Sequence, residues 1–140
     1  MAIEIRRVLP GDAAVLERVA DDVFDAPIDP ERLAAYLAEP GHLMIVAIHD
    51  GEVVGQAMAV VHRHPDKPTE LYVDEVGVTP THQRQGIARH MMEALFALGR
   101  ELGCEEAWVG TEADNAPAQG LYQGFRPTEV EPFVMYLYEL

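Results

Sequence analysis

The sequence of 140 residues contains no serine and a single cysteine, and these shortages limit its chemistry. Without serine, a mechanism that uses a serine nucleophile is excluded. Cys104 has no second cysteine for an internal disulfide, and we interpret it as a small apolar residue rather than a nucleophile, because free cysteine is commonly buried. The longest apolar run, residues 43–48, is too short for a membrane-spanning helix.

Positive charge is also scarce, with 10 Lys and Arg against 24 Asp and Glu and a net charge of −14. The excess is spread along the chain and does not form an acidic tail. Because phosphate repels such a molecule, nucleic acid and anionic membranes are not expected partners, whereas a cationic small molecule is favoured. The first residues lack the basic and apolar regions of a signal peptide, so we expect a cytoplasmic location.

Length and composition predict one domain over residues 1–140. The chain is 49% hydrophobic and 24% charged, proportions that are usual for a folded globular domain. A chain of this length is sufficient for one sizeable core and short for two.

Turn signals and apolar spacing predict helices and strands in one core, an α/β (α+β) class. Asp50-Gly51 between two apolar segments is a strong hairpin signal. Apolar residues recur every three or four positions from Ile87 to Leu102, as on one face of a helix that stops at Gly103. The predicted order is a strand over 3–8, a helix capped by Asp12 that carries Val15, Leu16, Val19 and Val23, a helix from Asp29 to Pro40, an antiparallel meander over 43–48, 53–61 and 71–78, a helix over 87–102, a strand over 107–111, a helix over 116–122 and a strand over 133–140.

The histidines predict no metal site. His62-x-His64 is the one pair with ligand spacing, and Pro65 follows it. A metal site needs three or four convergent ligands, so we interpret the pair as a strand end that faces solvent.

The segment from Val76 to Ala88 carries the chemical signal. A strand ends there, a polar turn follows, and a helix begins with small residues, so several backbone N–H groups lack intrahelical partners. Such donors and the helix dipole favour a phosphate or pyrophosphate. The spacing Gln83-x-x-Gly86-x-Ala88 lacks the Gly-Lys-Ser/Thr ending of a P-loop and the Gly-x-Gly of a dinucleotide site.

This spacing resembles the acyl-coenzyme A motif of the GNAT superfamily of N-acetyltransferases, Gln/Arg-x-x-Gly-x-Gly/Ala. The strand before the motif, and Asn115 to Tyr122 followed by Gly124-Phe125, also resemble the superfamily, which typically has Asn-x-x-Ala-x-x-Leu-Tyr and then Gly-Phe. The resemblance covers nearly the whole chain. It implies a mixed, mostly antiparallel sheet flanked by helices, whose central strands splay in a V around the pantetheine arm of acetyl-CoA.

The resemblance also implies residue roles. The backbone of Val76, Gly77 and Val78 would pair with the pantetheine, and the Val76 amide would hold the thioester oxygen. Asn115 would cap its helix and contact the cofactor. Tyr122 would donate a proton to the departing thiolate, although a core tyrosine is the alternative. The pyrophosphate would be lined by Gln83, Arg84, Gln85, Gly86, Ile87, Ala88 and Arg89.

A base must take a proton from the incoming ammonium, because only the neutral amine attacks. Asp74 and Glu75 are the candidates. Since side chains alternate along a strand, we expect only one of them to reach the cleft, and we favour Glu75, which directly precedes Val76.

The segment Val23-Phe24-Asp25-Ala26-Pro27 with Asp29-Pro30 between the first helices, the compact length and the acid just before Val76 are similar to the small aminoglycoside 3-N-acetyltransferases, which makes an aminoglycoside a candidate acceptor. Polyamines and other amines fit the charge equally well. The expected acceptor-binding residues are Phe24, Asp25, Asp74, Glu75 and Glu112. The alternatives are a non-catalytic acyl-coenzyme A binding module and an enzyme that acetylates a protein amine. An apolar C-terminal strand also suggests a homodimer.

Overall fold

The computed structural model describes residues 2–140, which divide into two units, one up to Gly110 and the other Thr111–Leu140. The single domain over 1–140 stays a prediction. Within the described range, no helix combines the length and the apolar character needed to cross a membrane.

A five-stranded sheet forms the first unit, with its strands in chain order. They are β1 (Glu4–Arg7), β2 (His42–His49), β3 (Glu52–His62), β4 (Glu70–Val78) and β5 (Glu106–Val109). The first four strands pair antiparallel, and β5 pairs parallel with β4. The predicted α/β class and mostly antiparallel sheet are therefore confirmed.

The hairpin between β2 and β3 follows from its turn residues. Asp50 and Gly51 both have positive φ, 51° and 76°. This geometry suits the twist of the flanking strands and is tolerated by aspartate and glycine. The predicted hairpin is confirmed.

Helices cover both faces of the sheet. Helix α2 (Ile87–Glu101) buries its predicted apolar stripe against β2, β3 and β4. Its Gly99 allows close packing, because a Cβ there would lie 3.0 Å from Leu71. The other face is covered by α1 (Pro30–Ala38), whose first N–H groups are capped by the Asp29 carboxylate.

The segment after Asp12 differs from the predicted helix. Only a short 3-10 helix, Ala13–Glu17, forms there. The Asp12 carboxylate accepts a hydrogen bond from the Leu9 N–H at 3.0 Å and lies 3.3 Å from the Arg6 guanidinium, so it does not cap the helix. The chain then extends along β3, where Val19 forms a parallel bridge with Val53.

A β-bulge divides β4 into two parts. Val73 lies opposite Ala59 and Glu75 lies opposite Met58, which leaves Asp74 as the extra residue. Pairing with β5 covers only Glu70–Val73. Within the described residues, Asp74–Val78 therefore have no partner in β5, and the strands separate as the expected V requires.

The second unit contains α3 (Ala116–Gln123), close to its predicted bounds. The Asn115 side chain accepts a hydrogen bond from the Ala118 N–H at 3.2 Å, so its predicted capping role is confirmed. The predicted strand over 133–140 is wrong, since described residues 124–140 lie in no helix or strand. A run of apolar residues is typical of a strand, but strand formation requires a partner for the backbone, and the segment is exposed.

Candidate active site

The segment before α1 is fixed to the sheet by main-chain contacts. Ala20 N–H donates to Val53 O at 2.9 Å, and the Val23 carbonyl oxygen lies 2.5 Å from the position that a Cβ on Gly77 would occupy. Only glycine at 77 permits this close approach. The crossing brings Phe24 and Asp25 beside the second half of β4.

A cavity of about 340 Å³ lies between this segment, α1 and the sheet. Phe24, Asp25 and Glu75, three of the five predicted acceptor-binding residues, line it. A second concavity, also of about 340 Å³, adjoins Phe24 and Asp25 and adds Asp21 and Asp22. The remaining lining of the first cavity is Ala26, Pro27, Ile28, Asp29, Arg32, Leu33, Tyr36, Met44 and Met58.

The bulge in β4 decides which carboxylate reaches the cavity. In a regular strand, Val73 and Glu75 would share a face. Because Asp74 is bulged, Glu75 instead shares a face with Met58, on the cavity side, and Asp74 is exposed. Glu75 thus lines the cavity, and Asp74 is absent from its lining.

The environment of Glu75 favours its protonated form. Burial raises the pKa of this carboxyl above its usual range, and the negative charges of Asp25 and Asp74 raise it further. A hydrogen bond from Gln56 Nε2 to Glu75 Oε1 at 3.0 Å acts in the opposite direction. Asp74 therefore affects the site through its charge.

Gln56 is a site residue that the sequence analysis missed. Its side chain is fully buried, and its amide donates to both Val23 O, at 3.1 Å, and Glu75 Oε1. Gln56 thereby joins the segment around Val23, which crosses Gly77, to the Glu75 carboxylate. A polar residue in the middle of an apolar strand is a signal that could have identified it.

Tyr36 is a second missed residue on the cavity wall. Its hydroxyl donates to Leu43 O at 2.6 Å, and its ring stacks on His42 with centroids 4.8 Å apart. Burial raises the pKa of the phenol, and Asp74 and Glu75 raise it further, so Tyr36 stays neutral. Its helical spacing indicated only a core position.

The peptide groups of Val76 and Val78 point away from β3. The Thr79 N–H donates to Val54 O at 2.8 Å, which fixes the alternation of the ladder. Because bonded and non-bonded pairs alternate in antiparallel sheets, Val76 and Val78 belong to non-bonded pairs and face the edge that β5 leaves open. The Val78 carbonyl accordingly accepts from Gln83 Nε2 at 3.0 Å.

The turn before α2 presents several unused backbone donors. Arg84 and Gly86 have positive φ, 62° and 80°. Within residues 2–140, the N–H groups of Arg84 to Ala88 donate no hydrogen bond. Successive amides in such a turn, at the positive end of a 15-residue helix, form a concavity suited to an anion.

The side chains of this turn differ in exposure. Arg84 and Gln85 are exposed, whereas Ile87 is buried and acts as part of the core. The Arg89 guanidinium lies 3.2 Å from Glu93. The donors that the turn offers are therefore chiefly main-chain groups.

A pair of histidines connects this turn to the β2–β3 hairpin. His82 Nε2 lies 2.9 Å from His49 Nδ1, and His82 Nδ1 lies 2.8 Å from Thr81 Oγ1. His49 Nε2 in turn lies 3.5 Å from the Asp50 carboxylate. The contacts fix the position of the 3-10 turn Pro80–His82, which leads into the donor turn.

The remaining predicted site residues lie in the second unit. Tyr122 is half-buried in the last turn of α3, and burial raises the pKa of its phenol. Glu112 is exposed, and its backbone oxygen lies 3.4 Å from Gln119 Nε2. Asn115 is occupied as a helix cap. Their roles in catalysis or binding stay predictions.

Cys104 is half-buried, and its backbone N–H donates to Gly99 O at 2.9 Å. Burial raises the pKa of its thiol. A thiol with a raised pKa is a poor nucleophile at neutral pH, in agreement with its interpretation as an apolar residue.

Comparison with known proteins places these observations in a family. An uncharacterized N-acetyltransferase of Mycobacterium bovis is 32% identical over 110 residues, which cover 79% of this chain and 67% of the relative. An aminoglycoside N(6')-acetyltransferase type 1 of Stenotrophomonas maltophilia is 28% identical over 133 residues, 89% of this chain and 87% of the relative. 

A crystal structure has the same fold: an aminoglycoside acetyltransferase from an uncultured soil metagenomic sample, in complex with sisomicin. It superposes with a TM-score of 0.85 at 23% identity, over 99% of this chain and 96% of that one. The model of the Acetyltransferase (GNAT) family matches residues 13–125. As the sequence motifs predicted, the chain belongs to the GNAT family and is an acetyl-CoA-dependent N-acetyltransferase.

Proposed function

We propose that the chain acetylates a primary amine of a cationic small molecule, with aminoglycosides as the first candidates. One observation carries the proposal: an acidic cavity and an open strand edge meet at consecutive residues of β4. Glu75 lines the cavity, and the Val76 peptide faces the edge. Neighbouring Cα atoms are about 3.8 Å apart, so an amine at Glu75 and an acyl group at Val76 could react.

The donor side fits acetyl-CoA. The unused amides of Arg84 to Ala88 would hold the pyrophosphate, with the exposed Arg84 guanidinium as a further donor. The outward Val76 N–H would hold the thioester oxygen where negative charge develops. When bound, acetyl-CoA would supply an activated acetyl group and a thiolate leaving group.

The acceptor side fits an ammonium ion. Asp25 and Glu75 in the cavity wall would attract it, and Asp74 adds negative charge nearby. Because its pKa is raised, Glu75 would accept a proton from the ammonium, directly or through water, more readily than an ordinary carboxylate. Gln56 would orient the carboxylate.

Tyr122 is proposed as the acid that protonates the departing sulfur. This role comes from its match to the superfamily motif. Support from the structure is limited to the raised pKa of the phenol, which keeps its proton in place at neutral pH. A Tyr122→Phe variant should lose turnover and keep its affinity for coenzyme A, whereas unchanged turnover would assign Tyr122 to the core.

The size of the cavity favours a small molecule over a protein amine. About 340 Å³ lies at the lower end of the range for small-ligand sites. The named relatives include aminoglycoside acetyltransferases. The name of the Stenotrophomonas maltophilia relative specifies the 6' amine, whereas the sequence analysis favoured 3-N, so the position stays a prediction that product analysis would decide. The cytoplasmic location also stays a prediction.

The decisive experiment measures free thiol released from acetyl-CoA with a panel of aminoglycosides, polyamines and a lysine peptide. We expect turnover with at least one aminoglycoside and none with the peptide. Calorimetry with coenzyme A separates the two halves of the proposal. If coenzyme A binds and no cationic small molecule is acetylated, the proposed acceptor is wrong. If coenzyme A does not bind, the proposed donor site is wrong.

We also propose that two copies associate through the C-terminal segment 133–140. Support comes from its run of large exposed apolar side chains: Phe133, Val134, Met135, Tyr136, Leu137, Tyr138 and Leu140. Contiguous exposed apolar surface commonly marks an interaction site. Sedimentation should give a dimer for the wild type and a monomer for Leu137→Asp. A monomeric wild type would refute the proposal.

A further inference from the structure

Two histidines and a glutamate converge where β3 and β4 join the connecting loop. His62 and Glu70 are opposite one another in the ladder, at the end of β3 and the start of β4. His64 lies two residues further along the loop. The candidate ligand atoms, one from each residue, all lie within 4.8 Å of one another.

One carboxylate oxygen is the meeting point of the cluster. Glu70 Oε1 lies 2.9 Å from His64 Nε2 and 3.7 Å from His62 Nδ1. Ligand atoms around a tetrahedral zinc ion are separated by about 3.4 Å, given metal–ligand distances near 2.1 Å. The two measured distances lie on either side of this value, so small side-chain rotations would complete a three-ligand site.

Strand pairing holds two of the three side chains in place without a bound ion. Backbone pairing fixes His62 against Glu70, and the side chains of His64 and Glu70 are only 13% and 21% exposed. His62, at 59%, leaves one side open to solvent. A partly covered site with one open side allows an ion to enter and a water molecule to occupy the fourth position.

We propose that His62, His64 and Glu70 bind a divalent transition-metal ion of the zinc type. Imidazole nitrogens and one carboxylate oxygen are ligands that suit zinc, and calcium or magnesium would require more oxygen ligands. Imidazole binds a metal through an unprotonated nitrogen, so a proton on His62 Nδ1 or His64 Nε2 would move to the other ring nitrogen or to water when the ion binds.

The site is separate from the acetyl-transfer site. Glu70 and Glu75 are five residues apart on β4, about 16 Å along the strand. A bound ion would crosslink β3 and β4 at the end away from the cavity. We therefore expect it to stabilise the sheet and to leave the acceptor preference unchanged.

Lys67 provides a way to sharpen the test. It lies in the connecting loop, and its positive charge acts on the Glu70 carboxylate. The same charge would repel a cation. Lys67→Ala should therefore tighten metal binding several-fold, whereas the removal of a ligand should weaken it.

The test is calorimetry with zinc chloride on the untagged, chelator-treated full chain. We expect one ion per chain, and at least a tenfold loss of affinity in His62→Ala, His64→Ala and Glu70→Gln. His90→Ala, which removes an exposed imidazole elsewhere, is the control and should bind as the wild type does. Co²⁺ gives a second readout, because its visible absorption reports tetrahedral coordination.

Two results would overturn the proposal. One is the absence of saturable zinc binding by the wild type up to about 1 mM, the weak limit of a specific site. The other is equal affinity in the wild type and the ligand variants, which would locate binding elsewhere. Circular dichroism of each variant checks that lost binding is not lost folding.

Discussion

The two halves of β4 lie in one strand and have different surroundings. Glu70–Val73 pair on both sides, with β3 and with β5, and bury Leu71 and Val73. After the bulge at Asp74, the strand pairs with β3 alone, and its side chains are half-buried. The first half, Glu70–Val73, is closed on both sides and thus stabilises the sheet. The second half, residues 75–78, is open on one side and exposes a carboxylate and peptide groups to ligands.

The largest expected effect is that of Glu75→Gln in the open half. Removal of the base should lower kcat/KM by about 10²- to 10⁴-fold and leave the affinity for coenzyme A unchanged. The assay is initial rate against pH, combined with calorimetry. Glu106→Gln, in the strand that pairs with the closed half, removes an equal charge and should react as the wild type does. A Glu75→Gln variant with the wild-type rate would contradict the assignment of the ligand chemistry to the second half of β4.

A change in the closed half should affect stability instead. Leu71 is 1% exposed and packs on α2, so Leu71→Ala should lower the free energy of unfolding by about 2–5 kcal/mol. Its neighbour Tyr72 is 38% exposed, and Tyr72→Phe should change stability by less than about 0.5 kcal/mol. Urea unfolding measures both. KM for either substrate should stay constant in the folded protein.

Gly77→Ala tests the crossing of Val23 over the open half. A Cβ at 77 would lie 2.5 Å from the Val23 oxygen, so the segment around Val23 must move, which should lower the free energy of unfolding by about 1–3 kcal/mol. KM for the amine should rise as well. Gly120→Ala in α3 meets no atom within 4 Å and should be neutral or stabilising. Equal unfolding curves for Gly77→Ala and the wild type would contradict this.

The smallest expected effect concerns pH. Since the pKa of Glu75 is raised, kcat/KM should fall on acidification at a pH above the ordinary carboxyl range. Asp25→Asn removes one charge that raises the pKa of Glu75 and should move the acidic limb of the pH profile to lower pH, whereas Glu4→Gln, on the exposed surface of β1, should not. If the acidic limb of the kcat/KM profile stays at the same pH in Asp25→Asn, Asp25 does not act on Glu75.

The same shift has a defined sign for stability. A carboxyl with a raised pKa in the folded state binds its proton more tightly there than in the unfolded chain. Its contribution is therefore full below the unfolded pKa and is lost as the pH rises through the folded pKa. The Tm of Glu75→Gln should accordingly fall less steeply with rising pH than the Tm of the wild type over this window.

Local patterns in the sequence predicted most elements of the fold. The apolar spacing of α2, the Asp50-Gly51 turn and the Asp29 cap each depend on nearby residues. The short 3-10 helix after Asp12 was missed, because the competing partner of Asp12, the Leu9 N–H, depends on how the chain bends. The segment 133–140 shows that a run of apolar residues alone does not make a strand.

The candidate site was predictable only where a motif marks it. The donor turn follows from Gln83-x-x-Gly86-x-Ala88, and the acidic pair follows from its position before Val76. Long-range register brings Gln56 to Glu75 and Glu70 to His62, and no local pattern in the sequence contains this register. Strand alternation does not predict the bulge at Asp74 either.

The bulge at Asp74 has two consequences that a single-codon deletion would separate. Without residue 74, Val73 and Glu75 would follow one another opposite Ala59 and Met58, so the carboxylate would keep its side of the sheet. The strand would lose the bend that an extra residue introduces. Such a shortened chain would keep the Glu75 carboxylate on the cavity side and lose the bend beside the open edge, so the two contributions of this residue to the site could be measured apart.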